Sequence, residues 1–280
     1  MSTVDTQEIT IDEDDFRALL AQHPGNNAFR EKLNSADLRE LFVIMGRYIY
    51  FNSVFGGGVA NLAGELAARH DLFRDRDEEV HALSDRSCLV ASLIFFAAVE
   101  EFGDVKVPSR FTHRALAQAT LKGLAKHLGY SPREVDALVV PPWGIQKIVN
   151  NDVQGGYLLN RANTESELFS GLGFHIGSEM LADEEFRILD ECLRGKHPDL
   201  VTLLKGMRVE VGDERLPAYS WIGIHTTAEA EHLKYAILSA KNALKYYAGA
   251  NMPQEIKEWV LAGFRKFCQV QADFMNHILD

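Results

Sequence analysis

Residues 221–247 read WIGIHTTAEAEHLKYAILSAKNALKYY, and apolar side chains recur in this stretch at intervals of three and four. The pattern predicts a long helix with one face turned toward a core. Because an α-helix turns by about 100° per residue, His225, Glu229 and His232 fall in one narrow stripe, whereas Glu231 lies away from it. Imidazole and carboxylate groups together suit iron, manganese or zinc. The stripe therefore predicts a metal site, with iron as the first candidate, although a surface stripe of paired Glu and His would show the same spacing.

The chain outside this helix carries the same periodicity, broken by Gly, Pro and short polar stretches. The predicted helices span residues 16–22, 35–55, 59–70, 77–101, 108–129, 131–140, 145–151, 165–180, 183–193 and 253–279. Glycines 56–58 are predicted to break the helical pattern, and residues 207–220 to form a small hairpin or an ordered loop. Because other strand signals are scarce and no linker is visible, the sequence predicts one all-α domain over residues 14–280, preceded by an acidic tail at residues 1–13.

Composition narrows the classes of partner. The 280 residues carry a formal net charge of −11, and such an acidic surface repels nucleic acid and anionic lipid, so we expect neither a nucleic acid nor a membrane as partner. Cys88, Cys192 and Cys268 are odd in number and widely spaced, which predicts reduced thiols and a cytoplasmic location. The N-terminal residues lack the features of a signal peptide, and the apolar run at residues 88–99 is too short to span a bilayer.

A second group of candidate ligands lies at a predicted helix junction. Glu100 and Glu101 end the helix predicted at residues 77–101, and His113 lies in the first turn of the next helix. A short loop between two helices favours an antiparallel pair, which would bring a carboxylate close to the imidazole. The alternative is a solvated Glu101 and a His113 on the surface.

A third candidate stretch, residues 171–181, reads GLGFHIGSEML. His175 and Glu179 are four residues apart and share a helical face. Each glycine inside a helix costs about 1 kcal/mol relative to alanine, so these glycines make sense where a neighbour packs closely. Glu179 is accordingly either a ligand or a structural polar group.

Taken in chain order, these pieces resemble the heme-oxygenase-like diiron oxidase and oxygenase superfamily. The resemblance rests on the sequences FREKLNSADLRELFVIMGRYIYFNSVF and VANLAGELA near the N-terminus, EEFG at 100–103 followed by His113, FHIGSEMLADEEF at 174–186, and the triplet His225, Glu229 and His232. It implies a heme-oxygenase-like bundle of about seven core helices, often a homodimer, that binds two Fe(II) per chain. The ligands carried over by position are Glu101, His113, Glu179, His225, Glu229 and His232, with Glu100 as an alternative to Glu101.

The resemblance also implies an O2-dependent oxidoreductase, with O2 as co-substrate and an external electron donor as a further partner. Its small-molecule substrate would be an amine, an amino acid or a fatty acid, and the outcome N-oxygenation or oxidative C–C cleavage. A carboxylate-bearing substrate is favoured if Arg110, Arg161 or Lys234 faces the pocket.

Within this superfamily the chain resembles the type represented by the Chlamydia protein associating with death domains. That type uses a Tyr and a Lys of its own as reactants. Tyr48 and Tyr50 are candidates to stand near the site, and His175 to line the pocket or support a ligand. Leu189 occupies the position where the Lys would fall, so this sequence does not support self-directed chemistry.

Three other functions remain open at this stage. A metal-free, thiaminase-like hydrolase of the same fold would present a catalytic Cys or a pair of carboxylates. A non-catalytic helical binding protein would bury the same Glu and His residues as a polar network. A heme protein would use His113 or His175 as an axial ligand.

Overall fold

The computed structural model describes residues 9–24, 26–79, 82–83, 85–103, 111–159 and 163–280, with the backbone alone at residues 227–230. Helices account for 76% of the described residues, and the strands among them form one two-stranded sheet, so the prediction of an all-α single-domain fold is confirmed. Among these residues, no helix combines the length and the apolar character needed to cross a membrane.

The helices are α1 (Glu13–Leu20), α2 (Asn27–Ser35), α3 (Leu38–Phe51), α4 (Phe55–Ala68), α5 (Asp85–Phe102), α6 (His113–Leu128), α7 (Pro132–Val139), α8 (Trp143–Lys147), α9 (Gln154–Gly156), α10 (Glu165–Lys196), α11 (Pro198–Gly206), α12 (Ser220–Lys245) and α13 (Pro253–His277). A 3-10 turn (Asn52–Val54) joins α3 to α4, and a π-helical turn (Ile148–Val153) joins α8 to α9. The predicted hairpin is confirmed: β1 (Arg208–Val211) and β2 (Glu214–Pro217) pair antiparallel.

Local signals explain where several helices begin and end. Ser131 accepts a hydrogen bond from the backbone of Glu134, whose side chain accepts one in return from the Ser131 backbone, so α7 starts where the sequence predicted. Gly129 ends α6 with a φ of +71°, a left-handed conformation that favours glycine. Thr112 caps α6, which makes His113 its first residue; positions 108–110 of the predicted helix lie outside the described residues.

Several predicted helix boundaries are wrong because other contacts override local pattern. The helix predicted at residues 35–55 begins at Leu38, because Asp37 rather than Ser35 caps it, and Ser35 is the last residue of α2. The helix predicted at residues 77–101 begins instead at Asp85, since the Asp75 carboxylate accepts a hydrogen bond from the Asp77 backbone and forms an ion pair with Arg86 at 2.9 Å. Glycines 56–58 do not interrupt a helix but lie within α4. A Cβ on Gly58 would stand 2.6 Å from the Tyr157 ring, so this glycine serves close packing.

Two further predictions are corrected. The segments predicted at 165–180 and 183–193 form one helix of 32 residues, α10, because the intervening Leu181 and Ala182 are good helix formers and keep the pattern unbroken. The described part of the predicted tail, residues 9–13, is anchored: Ile11 is buried, Asp12 caps α1, and the Lys257 ammonium donates to the Thr10 carbonyl at 2.8 Å.

The long helix α10 is the central element of the bundle, packed between α13 and α12. Its contact with α13 is a backbone contact, because a Cβ on Gly173 would lie 1.7 Å from the Val260 carbonyl oxygen and one on Gly263 1.8 Å from that of Ser170. On its other side, α12 packs against α5 and α6 as well as α10. This arrangement places parts of four helices around one interior volume.

Candidate metal centre

Four helices direct acidic and imidazole side chains into that volume. Their described members are Glu100 and Glu101 on α5, His113 on α6, His175 and Glu179 on α10, and His225 and His232 on α12. The side chain of Glu229, also predicted as a ligand, lies outside the description. The structure therefore brings together predicted ligands that are up to 132 residues apart in sequence.

The first subgroup consists of Glu101, His113 and His225. One ligand atom from each lies within 4.8 Å of the others, a spacing at which a single metal ion can bind all three. The Nδ1 atom of His113 lies 2.9 Å from the Oε1 atom of Glu101, and the rings of His113 and His225 are 4.5 Å apart. The sequence predicted the proximity of a carboxylate to His113 from the short junction between α5 and α6.

The orientation of His225 is fixed from two sides. Its Nδ1 atom donates to the Trp221 carbonyl at 2.6 Å, so Nε2 is the nitrogen that can coordinate a metal. Phe186 stacks on the ring at a centroid distance of 4.1 Å and an interplanar angle of 12°. These contacts hold the imidazole in place before any metal binds.

The second subgroup gathers around His232. Its Nε2 atom lies 2.9 Å from the Oε2 atom of Glu100, and its Nδ1 atom lies 3.5 Å from the Oε2 atom of Glu179. The sequence left Glu100 and Glu101 as alternatives, whereas the structure places both within the cluster, Glu101 beside His113 and Glu100 beside His232.

A polar chain supports Glu179 from behind. The Nδ1 atom of His175 lies 3.3 Å from the Oε1 atom of Glu179. Ser178 donates to the His175 carbonyl at 2.7 Å, and the Tyr157 hydroxyl lies 2.8 Å from the Ser178 oxygen. His175 was a candidate support residue, while Tyr157 and Ser178 carried no signal in the sequence because neither belongs to a recognisable spacing.

Burial and charge act against each other at Glu101. Burial raises the pKa of this carboxyl, but the hydrogen bond to His113 and the charges of His113, His225 and His232 outweigh it, so the pKa lies below its ordinary value. The carboxylate form is therefore favoured, and it is the form that binds metal. Buried carboxylates that converge as Glu100, Glu101 and Glu179 do are costly unless positive charge offsets them, and this donor set fits a divalent cation.

A small cavity of about 30 Å³ adjoins the cluster. Its apolar wall includes Phe51, Phe55, Val59 and Phe267, and its polar wall includes Asn52 and Glu185 in addition to cluster residues. Such a volume accommodates a few water molecules or O2, but not a porphyrin. The cavity thus gives no support to an axial heme ligand at His113 or His175.

Tyr48 reaches this cavity through one intermediate residue. Its hydroxyl donates to the Oε2 atom of Glu185 at 2.6 Å, and Gln271 donates to the Oε1 atom at 2.9 Å. Glu185 was missed by the sequence argument, because an acidic residue within the run DEE resembles a solvated position. Tyr50 is half-buried against the core and does not line the cavity.

Of the three candidate cations for substrate binding, only Lys234 lies among the described residues, and it does not line the cavity. Arg110 and Arg161 lie outside the described residues, and Lys234 is exposed in a separate groove that it shares with Arg187 and Lys241. Among the described residues that line the cavity there is no Lys or Arg. Lys234 does not face the cavity, so it gives no reason to favour a carboxylate-bearing substrate.

Comparisons with known proteins support the fold alone. No family model and no curated protein matches the chain. A crystal structure of a CADD-like protein of unknown function from Nostoc punctiforme is similar to it with a TM-score of 0.60 and 17% identity, over 95% of this chain and 94% of that one. A second structure of that Nostoc protein, at 1.35 Å resolution, gives a TM-score of 0.57 at 16% identity, over 95% and 92% of the two chains. The chain thus has the fold of these CADD-like proteins.

Proposed function

We propose that this protein is a non-heme diiron oxidoreductase that uses O2 to oxidise a small organic molecule. The observation that carries the proposal is the convergence of Glu101, His113 and His225 within metal-binding distance of one another. The second subgroup around His232 supports a binuclear rather than a mononuclear site, and the CADD-like fold agrees with both.

The roles of the residues follow from their positions. Glu101, His113 and His225 would hold one iron; Glu179 and His232 would hold the other, with Glu229 assigned by resemblance and Glu100 available beside His232. Bound iron would supply the redox chemistry that activates O2, which the ordinary side chains of the chain do not.

The chain itself supplies orientation and a dry environment. The Trp221 carbonyl and the Phe186 ring fix His225, and His175 holds one oxygen of Glu179 while the other faces His232. The apolar wall of the cavity excludes bulk water, which strengthens every charge interaction within it.

The proposed substrate is a small amine, amino acid or fatty acid, with N-oxygenation or oxidative C–C cleavage as the outcome. A homodimer, a cytoplasmic location and an external electron donor are part of the same proposal and rest on the resemblance. A thiaminase-like hydrolase with a catalytic cysteine gains no support, since none of the cysteines lines the cavity: Cys88 is exposed on α5, Cys192 bonds to the Leu33 carbonyl, and Cys268 is buried in α13.

Anaerobic loading with Fe(II) followed by metal analysis tests the proposal. We expect two irons per chain, and O2 uptake on exposure to air that depends on the iron. His225→Ala should lose iron and O2 uptake, whereas His127→Ala, at an exposed position on α6, should keep both. A wild-type protein that takes up no iron, or a His225→Ala variant that behaves as wild type, contradicts the proposal.

A further inference from the structure

A basic groove lies between α6 and the hairpin, outside the metal centre. Lys122 and Lys126 contribute to it from α6, and Arg208 and Arg215 from β1 and β2. The groove has a volume of about 460 Å³, and Glu210 is the acidic residue that lines it. Four cations and one carboxylate thus surround a single concave surface.

Two of these cations, Lys122 and Arg208, are held by backbone oxygens rather than by carboxylates. The Lys122 ammonium donates to the Glu210 carbonyl, and the Arg208 guanidinium donates to the Arg215 carbonyl at 3.1 Å. None of the four cations forms an ion pair with a described residue. Elsewhere in the described chain, arginines such as Arg69 and Arg86 do pair with aspartates.

The concentration of positive charge is unusual for this chain, whose net charge is −11. Lys122 and Lys126 are four residues apart on one helical face, a spacing at which like charges destabilise a helix. A carbonyl bond positions a cationic group but leaves its charge uncompensated. A bound anion would remove this repulsion and complete the bonding of the cations.

We propose that this groove binds a phosphate-bearing small molecule, independently of the metal centre. Guanidinium groups match phosphate oxygens with two parallel hydrogen bonds, and lysine ammonium groups add charge at short range. The volume of about 460 Å³ is sufficient for a small phosphate-bearing molecule. Arg208 and Arg215 would orient the phosphate, while Lys122 and Lys126 would balance its charge.

Titration calorimetry with pyrophosphate and with phenyl phosphate, at low salt, tests the proposal on the full chain. Wild type should bind saturably, and Lys126→Gln combined with Arg215→Gln should weaken binding by about tenfold or more, as expected for loss of charged hydrogen bonds. Arg265→Gln removes an exposed cation from α13 and serves as the matched control, with unchanged affinity expected. All substituted side chains are exposed, so equal melting temperatures should accompany the difference.

The two ligands separate the sources of phosphate: tighter binding of pyrophosphate indicates a diphosphate group, and tighter binding of phenyl phosphate indicates a monoester. Either result supports the proposal. Absence of saturable binding, or equal weakening by Arg265→Gln, overturns it. An acidic peptide that displaces pyrophosphate with higher affinity also overturns it, because the groove would then serve a protein partner.

Discussion

Helix α10 packs against α13 on one face and contributes to the metal centre on another, and the two faces are built differently. Toward α13, Gly173 and Gly177 let the helices approach until backbone and aromatic side chains touch. Toward α12, the Oε2 atom of Glu179 lies 3.5 Å from the Nδ1 atom of His232. At these glycines the first interface depends on shape, that is, on the close approach of the two helices. The second depends on charge, and therefore on whether a cation is present.

The largest expected effect comes from breaking the shape-dependent interface. Gly173→Ala would put a methyl group 1.7 Å from the Val260 carbonyl oxygen, so the backbones must separate. We expect a loss of about 3 kcal/mol or more in the free energy of unfolding, measured by urea denaturation of the metal-free protein.

The matched control for this change is Gly57→Ala, because a Cβ at Gly57 within α4 meets nothing within 4 Å. It should stabilise the protein by about 0.5–1 kcal/mol through helix propensity. Equal stability of the two variants would show that α10 and α13 do not touch through their backbones.

The next prediction tests the polar face of α10 by adding a metal ion instead of changing the packing. A metal that binds only the folded protein stabilises it by about 2.7 kcal/mol at a hundredfold excess over its Kd. Fe(II) added anaerobically should therefore raise the melting temperature of wild type, and of Gly57→Ala equally. In His225→Ala the rise should be absent or much smaller, whereas His127→Ala should show the full rise.

A smaller effect is expected at the contact between Tyr48 of α3 and Glu185 of α10. Tyr48→Phe removes the hydroxyl that donates to buried Glu185, and the cost of a lost hydrogen bond to a buried acceptor is about 1–3 kcal/mol. Tyr50→Phe changes a half-buried ring that lacks such a bond, and should cost less than about 0.5 kcal/mol. Chemical denaturation of both variants measures the difference. Equal costs would mean that the Tyr48–Glu185 bond contributes nothing to stability.

The last effect is absent at neutral pH and appears only at alkaline pH. Burial in α13 raises the pKa of the Cys268 thiol from its ordinary value of 9.0 to about 12. In the unfolded chain the thiol ionises above pH 9, whereas in the folded protein it keeps its proton, so its contribution is fully present below pH 9 and is lost as pH rises toward 12. Cys268→Ala should flatten this decline in melting temperature, and Cys88→Ala, at an exposed position, should leave it unchanged.

Local chemistry made part of the fold predictable. The start of α7 at Ser131 and Pro132, the end of α6 at Gly129, and the hairpin at 207–220 all follow from residues that determine their own conformation. The start of α5 did not, because the Asp75–Arg86 ion pair links segments that sequence periodicity treats as one helix. The glycines 56–58 were misread for a similar reason, since the partner that requires one of them, Tyr157, lies about a hundred residues away in the chain.

The same distinction between local and long-range contacts applies to the candidate site. The spacing of His225 and His232 is a property of one helix, and the Glu101–His113 pair is a property of one junction, so both could be predicted. The contact of Glu100 with His232 and the position of Glu185 depend on how helices pack, and the sequence pattern carries no distance across a bundle. Only the resemblance to known proteins connected these pieces before the structure did.

The backbone contact between α10 and α13 determines when the candidate site can reach its final geometry during synthesis of the chain. Every described candidate ligand lies between residues 100 and 232, whereas α13 runs from Pro253 to His277 and leaves the ribosome after them all. The ligand-bearing helices are therefore synthesised before the element that fixes the position of α10. During this interval the nascent chain holds the candidate ligands without their final geometry, and we expect the proposed iron site to load stably only after the last helix is made.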